Sequence, residues 1–158
     1  MKSSAIVAFL VLASAAAGSA AETLSCPDLA TAVQVGTCPS EAELKYTFNG
    51  YCSDNRRMYE QDTSVCTDYQ AYRKLKNVAQ WESADGAFSA YVSCDLAAET
   101  IKAMPVSRIA AGKQGKISLL TCSYGDGISF SYRSRRQCTV AGKGDCAGHP
   151  AACRASCD

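Results

Sequence analysis

Lys116-Ile117-Ser118-Leu119-Leu120-Thr121-Cys122-Ser123-Tyr124, then Gly125-Asp126-Gly127, then Ile128-Ser129-Phe130-Ser131-Tyr132-Arg133, is the stretch that decides the fold. Two runs rich in β-branched and aromatic residues flank a Gly-Asp-Gly turn, the pattern of an antiparallel hairpin. Ile117, Leu119 and Thr121 share one face of the first strand; Ile128, Phe130 and Tyr132 share one face of the second. Upstream, two further runs over 78–82 and 87–94 flank Ser83-Ala84-Asp85-Gly86 and predict another hairpin, with Trp81 and Phe88 in its core.

Between and before the hairpins the period lengthens. Thr67-Asp68 can cap a helix over 68–76, in which Tyr69, Tyr72 and Leu75 recur at helical spacing. The tyrosine stripe reads as core. Asp95 can cap a second helix over 95–104 that buries Leu96, Ile101 and Met104 and stops before Pro105. Residues 43–52, Glu-Leu-Lys-Tyr-Thr-Phe-Asn-Gly-Tyr-Cys, alternate polar and apolar and read as a strand. Residues 27–35 read as a short helix, with Pro27 in its first turn and Gly36 at its end. Residues 137–158 show little apolar periodicity and read as a coil tied down by cysteines. The expected fold class is α+β: a small antiparallel sheet of four or five strands with one or two helices, stabilised by disulfides.

The amino terminus is a separate matter. Lys2 precedes the apolar run over 5–17, and Gly18-Ser19-Ala20-Ala21 supplies the small residues of a signal peptidase site. The reading is a signal peptide over 1–21 and a single secreted, disulfide-rich domain over 22–158. The run is too short to span a bilayer, so no integral membrane segment is expected.

All ten cysteines (Cys26, Cys38, Cys52, Cys66, Cys94, Cys122, Cys138, Cys146, Cys153 and Cys157) lie in the mature chain. An even count in an oxidising compartment predicts five disulfides, and the spacing leaves their connectivity open. Cys146, His149, Cys153 and Cys157 read C-x2-H-x3-C-x3-C, a spacing that zinc could use. Committing three cysteines to zinc would leave an odd number, so disulfides are favoured and neither metal nor cofactor is expected.

The charge is balanced but segregated. Residues 22–100 carry 6 basic and 12 acidic side chains, whereas residues 101–158 carry 9 basic and 3 acidic. A nucleic-acid partner is not expected of a chain that is not basic overall. The densest basic run is Arg133-Ser134-Arg135-Arg136, in which strand alternation sets Arg133 and Arg135 opposite Tyr132 and Ser134. Arg133, Arg135 and Arg136 are therefore candidate binding residues for an extracellular protein or an anionic surface. The same run has the R-x-R-R pattern of dibasic processing, with Arg56-Arg57 a weaker match. Cleavage after Arg136 is expected to leave the tail attached through disulfides.

Catalytic chemistry is not legible. His149 is the one histidine, and it sits in the cysteine-tied tail. No nucleophile–base set, zinc-protease helix or phosphate loop is present, and an enzyme is not expected.

Arg108-Ile109-Ala110 and Gly115-Lys116-Ile117-Ser118-Leu119, taken with the order of elements, resemble the small secreted fungal guanyl-specific ribonucleases and the effectors built on that fold. That family uses a strand-borne histidine and glutamate as acid and base. The strand over 117–122 carries neither, so the resemblance implies the fold without the activity. The combination of signal peptide, small mature chain and many paired cysteines also resembles the secreted cysteine-rich effectors of plant-associated fungi and oomycetes. This implies a non-enzymatic, virulence-type protein that binds a host or competitor target outside the cell. The alternatives are an inhibitor of a secreted hydrolase and a small secreted, ribonuclease-like hydrolase.

Overall fold

A computed structural model describes residues 21–146 and 148–158. Apart from Ala21, the expected signal peptide lies outside the described residues. The architecture is α+β, with two antiparallel sheets. Its strands are β1 (Glu22–Ser25), β2 (Val33–Gln34), β3 (Val78–Glu82), β4 (Ser89–Ser93), β5 (Arg108–Gln114), β6 (Ile117–Ser123), β7 (Ser129–Ser134), β8 (Cys138–Val140) and β9 (Arg154–Cys157). A six-stranded sheet has the order β2-β3-β4-β7-β6-β5, and a three-stranded sheet has the order β1-β9-β8. The helices are α1 (Glu41–Cys52), α2 (Thr63–Cys66), α3 (Tyr69–Lys76) and α4 (Ala98–Lys102).

Both expected hairpins form. In β6 and β7 the register sets Leu120 opposite Tyr132 and Cys122 opposite Phe130. The core face is the one that carries Ser118, Leu120 and Cys122; the Ile117, Leu119 and Thr121 face is outward and only half-buried. The intervening turn holds Asp126 at φ 54° and Gly127 at φ 74°, the left-handed geometry that Asp and Gly tolerate. In the β3–β4 hairpin the Ser83 N–H donates to the Phe88 carbonyl and the Phe88 N–H to the Ser83 hydroxyl oxygen, each at 2.9 Å. Trp81 and Phe88 are both buried, as the pattern predicted.

Four local readings are corrected. The stretch over 43–52 is helical, not extended. Ser40 and Glu43 form a reciprocal capping box at the start of α1. Leu44, Phe48 and Cys52 then recur every four residues on one face, while Tyr46, which lies on the apolar side of the strand alternation, is 81% exposed. The stretch over 27–35 makes one 3-10 turn (Leu29–Thr31), capped by Asp28, and then becomes β2. Gly36 ends no helix. A Cβ there would come within 2.8 Å of the Gln80 nitrogen, and the Val35 and Gly36 N–H groups both donate to the Gln80 carbonyl. The fourth helix begins at Ala98 with Ala97 as its N-cap residue, and Asp95 is used elsewhere. Finally, the tail is not coil: β8 and β9 form, and β9 pairs with β1 from Glu22↔Cys157 to Ser25↔Arg154. The tail's buried backbone groups need partners, and the chain's first strand supplies them.

The ten cysteines form five bridges: Cys26–Cys122, Cys38–Cys94, Cys52–Cys66, Cys138–Cys157 and Cys146–Cys153. The first crosses the main core beside Leu29, Leu120 and Phe130. Three of the four residues of the zinc-like spacing, Cys146, Cys153 and Cys157, are thus consumed by disulfides. Among the described residues no helix is long and apolar enough to cross a membrane.

Tyr124 ties the amino-terminal segment to the sheet. Its hydroxyl donates to the Pro27 carbonyl at 2.6 Å. Burial, with the Asp28 charge adding to it, pushes this phenol above the ordinary tyrosine range. A raised folded-state pKa stabilises the protein fully below the unfolded value and loses that contribution as pH rises through the folded one. Tyr124→Phe should therefore cost about 1 kcal/mol at neutral pH. Denaturant melts at about pH 8 and about pH 11 should show the gap to wild type narrowing above the unfolded tyrosine value of about 10. A gap that widens with pH would contradict this account.

Candidate binding groove

Residues α1 to α3 form a helical lobe outside the main core, with its own buried residues Leu44, Cys52, Cys66 and Tyr72. Two N-caps position its helices: the Ser40–Glu43 box on α1, and Asp68 on α3, whose carboxylate accepts from the Gln70 N–H at 2.8 Å. The Cys52–Cys66 bridge ties the end of α1 to the end of α2. Aromatic rings fill the space between: Phe48 lies 5.4 Å from Tyr69 and 5.2 Å from Tyr72, and Tyr51 lies 5.7 Å from Tyr72. Edge and tilted contacts of this kind place ring hydrogens against neighbouring π faces.

The lobe is fastened to the sheet through Arg73. Its guanidinium meets both Asp95 oxygens, at 3.0 and 2.9 Å, and reaches Glu41 at 3.3 Å. Asp95 also accepts from the buried Asn77 amide at 2.9 Å. The Arg73 hydrogen bond holds the Asp95 carboxyl below its usual range. This explains why Asp95 is not a helix cap: the bidentate arginine contact occupies its oxygens. The Cys38–Cys94 bridge lies beside the same junction.

Between α1 and α3 the lobe opens a groove of about 850 Å³. Leu44, Thr47, Tyr51 and Tyr72 line it, with Arg57 and Lys76 at the cationic positions. The Arg57 guanidinium carbon lies 4.1 Å from the Tyr51 ring centroid and the Lys76 ammonium 5.0 Å from it. Both are within the range over which a ring quadrupole attracts a cation. The Tyr51 hydroxyl donates to Asp62 at 2.7 Å, and that bond is the main reason its pKa is raised. The ring is therefore fixed at its edge and held by cations at its face.

Among the described residues lining the groove, Glu43 is the one carboxylate. Its Oε2 accepts the Ser40 backbone N–H at 2.7 Å, which holds the carboxyl below its usual range. A carboxylate committed to a helix cap is a poor general acid at neutral pH. The arrangement suits binding: an apolar floor, a planar aromatic wall and two positive charges.

The basic run identified from sequence is elsewhere. Arg133 projects from the outer face of β7, while Arg135 and Arg136 lie beyond the strand's end. All three are exposed. The Arg136 guanidinium lies 3.9 Å from Glu22, and among the described residues Arg133 and Arg135 make no ion pair. The β5–β6 turn brings Lys113 and Lys116 to the same end of the sheet, because Ser118 pairs with both Lys113 and Ser134. Tyr132 points inward, 5.6 Å from the Phe88 ring.

Sequence reading passed over the groove residues Tyr51, Arg57 and Lys76. The signal that could have found them is the S-x-x-E capping box at Ser40, which turns 41–52 into a helix and sets Leu44, Thr47 and Tyr51 on one face. Lys76 then follows Tyr72 at the i, i+4 spacing. No protein-family model matches the chain, and no curated protein or solved structure matches it.

Proposed function

We propose that the chain is a secreted, effector-type protein that binds an extracellular target of a host or competitor, and that the target enters the groove between α1 and α3. The observation that carries this reading is the Tyr51 ring held between a hydrogen bond to Asp62 and the two cations Arg57 and Lys76. An occupant that fits presents a carboxylate or phosphate next to an aromatic or aliphatic group. The bridge and the two N-caps hold the groove in shape before binding, so little ordering has to accompany association.

The test uses the oxidised mature chain as bait in host extracellular fluid, side by side with Lys76→Glu. A partner that enters the groove should lose about a hundredfold or more in affinity when one cation becomes an anion, since like-charge juxtaposition costs several kcal/mol at a desolvated contact and each 1.4 kcal/mol is about tenfold. Equal capture by both proteins would sink the groove reading. If the partner is an enzyme whose turnover stops on binding, the protein is an inhibitor.

One observation favours a second surface. Arg133 and Arg135 are exposed, make no ion pair among the described residues, and stand near Lys113 and Lys116. An anionic surface docked there would be released by salt, because the Debye length falls from about 10 Å at 0.1 M to about 3 Å at 1 M. In the same capture, replacing Arg133, Arg135 and Arg136 by serine separates this surface from the groove.

A further inference from the structure

The pattern of bridges changes what the Arg133-Ser134-Arg135-Arg136 run implies. Cys146–Cys153 is nested inside Cys138–Cys157, and both bridges lie wholly within 137–158. The other three bridges lie wholly within 26–122. No disulfide crosses the Arg136–Gln137 bond. The expectation that disulfides would hold the tail after a cut there is overturned.

The segment is exposed but shaped: the Arg136 N–H donates to the Ser134 hydroxyl oxygen at 3.0 Å within a bend, and Gln137 exchanges backbone hydrogen bonds with Asp158 at 2.9 and 3.0 Å, so cleavage proceeds through local opening at Asp158. Arg135, Arg136 and Gln137 are exposed, between the end of β7 and the start of β8. β4 pairs with β7 only at Ser89↔Ser131, so beyond Ser131 the β4 side of β7 is an open strand edge. The edge over 132–134 can add to a strand of an incoming protein through main-chain hydrogen bonds, just ahead of the bend that carries Arg135 and Arg136. The other dibasic pair lies in helical backbone. Arg57 begins a helical turn, Arg57–Gln61, and its guanidinium is stacked on the Tyr51 ring.

We infer that residues 133–136 form the recognition site for a secretory-pathway protease of dibasic specificity, which hydrolyses the Arg136–Gln137 bond and makes the 22 residues 137–158 a separate, doubly bridged peptide. In that step the peptide C–N bond breaks. Water supplies the second oxygen of the new Arg136 carboxylate, and its two protons convert the Gln137 N–H into an ammonium. No bridge is reduced. After the cut only non-covalent contacts hold the peptide: the β1–β9 ladder, the Cys26 N–H to the Cys153 carbonyl at 3.0 Å, the Ile109 N–H to the Gly144 carbonyl at 2.8 Å, and the Cys146 N–H to the Ser107 carbonyl at 3.1 Å. Gly144 is at φ 75° and packs so closely that a Cβ would collide with the Ile109 carbonyl. The peptide thus has its own covalent frame and a fitted seat on the rest of the protein. This inference is independent of the groove.

The experiment incubates the folded, oxidised mature protein with a subtilisin-type endoprotease that cleaves after paired basic residues. The reduced and alkylated chain serves as the substrate control. The expected result is a single cut after Arg136 in the folded protein. Mass spectrometry in denaturant without reductant then resolves two species, the smaller beginning at Gln137 and lighter than its reduced form by four hydrogens. Arg136→Ser should resist the protease, and the control should also be cut after Arg57. Resistance of the folded protein at a dose that cuts the control would overturn the inference. So would a first cut at Arg57, or fragments that separate only on reduction. A second arm compares protein secreted by hosts with and without such a protease; a chain ending at Asp158 and uncut at Arg136 from both hosts would equally refute it.

Discussion

Replacing Cys26 and Cys122 together by alanine should lower the unfolding free energy by about 4–5 kcal/mol, the largest loss among the five bridges. Their bridge joins residues 96 apart, and cross-linking a loop of that length removes the most freedom from the unfolded chain. Both cysteines are buried in the main core, so two alanines also forfeit sulfur packing there. The Cys52–Cys66 bridge, which spans only 14 residues, provides the comparison. Its removal should cost about 3 kcal/mol, leaving a difference of roughly 1.5–2 kcal/mol that arises from loop length. Denaturant unfolding of the two double-alanine variants measures both. Equal losses would mean that local packing, and not loop closure, governs what these bridges contribute.

Tyr72→Ala is the second large effect, and it should be confined to the helical lobe. Tyr72 is 2% exposed and its ring contacts both Phe48 and Tyr51. Truncating a buried aromatic residue costs about 3–5 kcal/mol through lost transfer energy and the cavity left behind. The lobe's apolar residues form a cluster apart from the main core, so the loss should appear as local opening. Hydrogen exchange should accelerate across α1 to α3, while β3, β4, β6 and β7 keep their protection. In the same variant the Tyr51 ring should lose the aromatic partner that packs against it. A cooperative loss of protection in both regions would show that the lobe and sheet fold as one unit, coupled through the Arg73–Asp95 contact and the Cys38–Cys94 bridge.

What could be read from the sequence has a common scale. The β6–β7 hairpin was legible because Gly125, Asp126 and Gly127 meet a turn requirement within a few residues, and the flanking period of two needs no distant partner. The α3 helix was legible for the same reason, since Asp68 satisfies the first N–H groups of its own turn. At 43–52 two local signals conflicted. The apolar alternation of Leu44, Tyr46 and Phe48 suggested a strand, and the capping box at Ser40 specified a helix. The helix prevails because it satisfies its own backbone and buries Leu44 and Cys52 on one side, while Tyr46 is left to solvent.

The sequence by itself determined the class of protein: the even cysteine count, the hairpin turns and the caps, each set by chemistry within a few residues. Tertiary structure alone decided the rest. Which cysteines pair depends on which sulfurs the sheet brings together, and spacing along the chain carries no such information. The seat of the tail against β1 joins residues more than a hundred positions apart, whose backbone groups find partners only after the sheet has formed. The groove is likewise a product of packing. Tyr51, Arg57 and Lys76 share no motif, and they converge because the Cys52–Cys66 bridge and the tyrosine contacts fold α1 against α3.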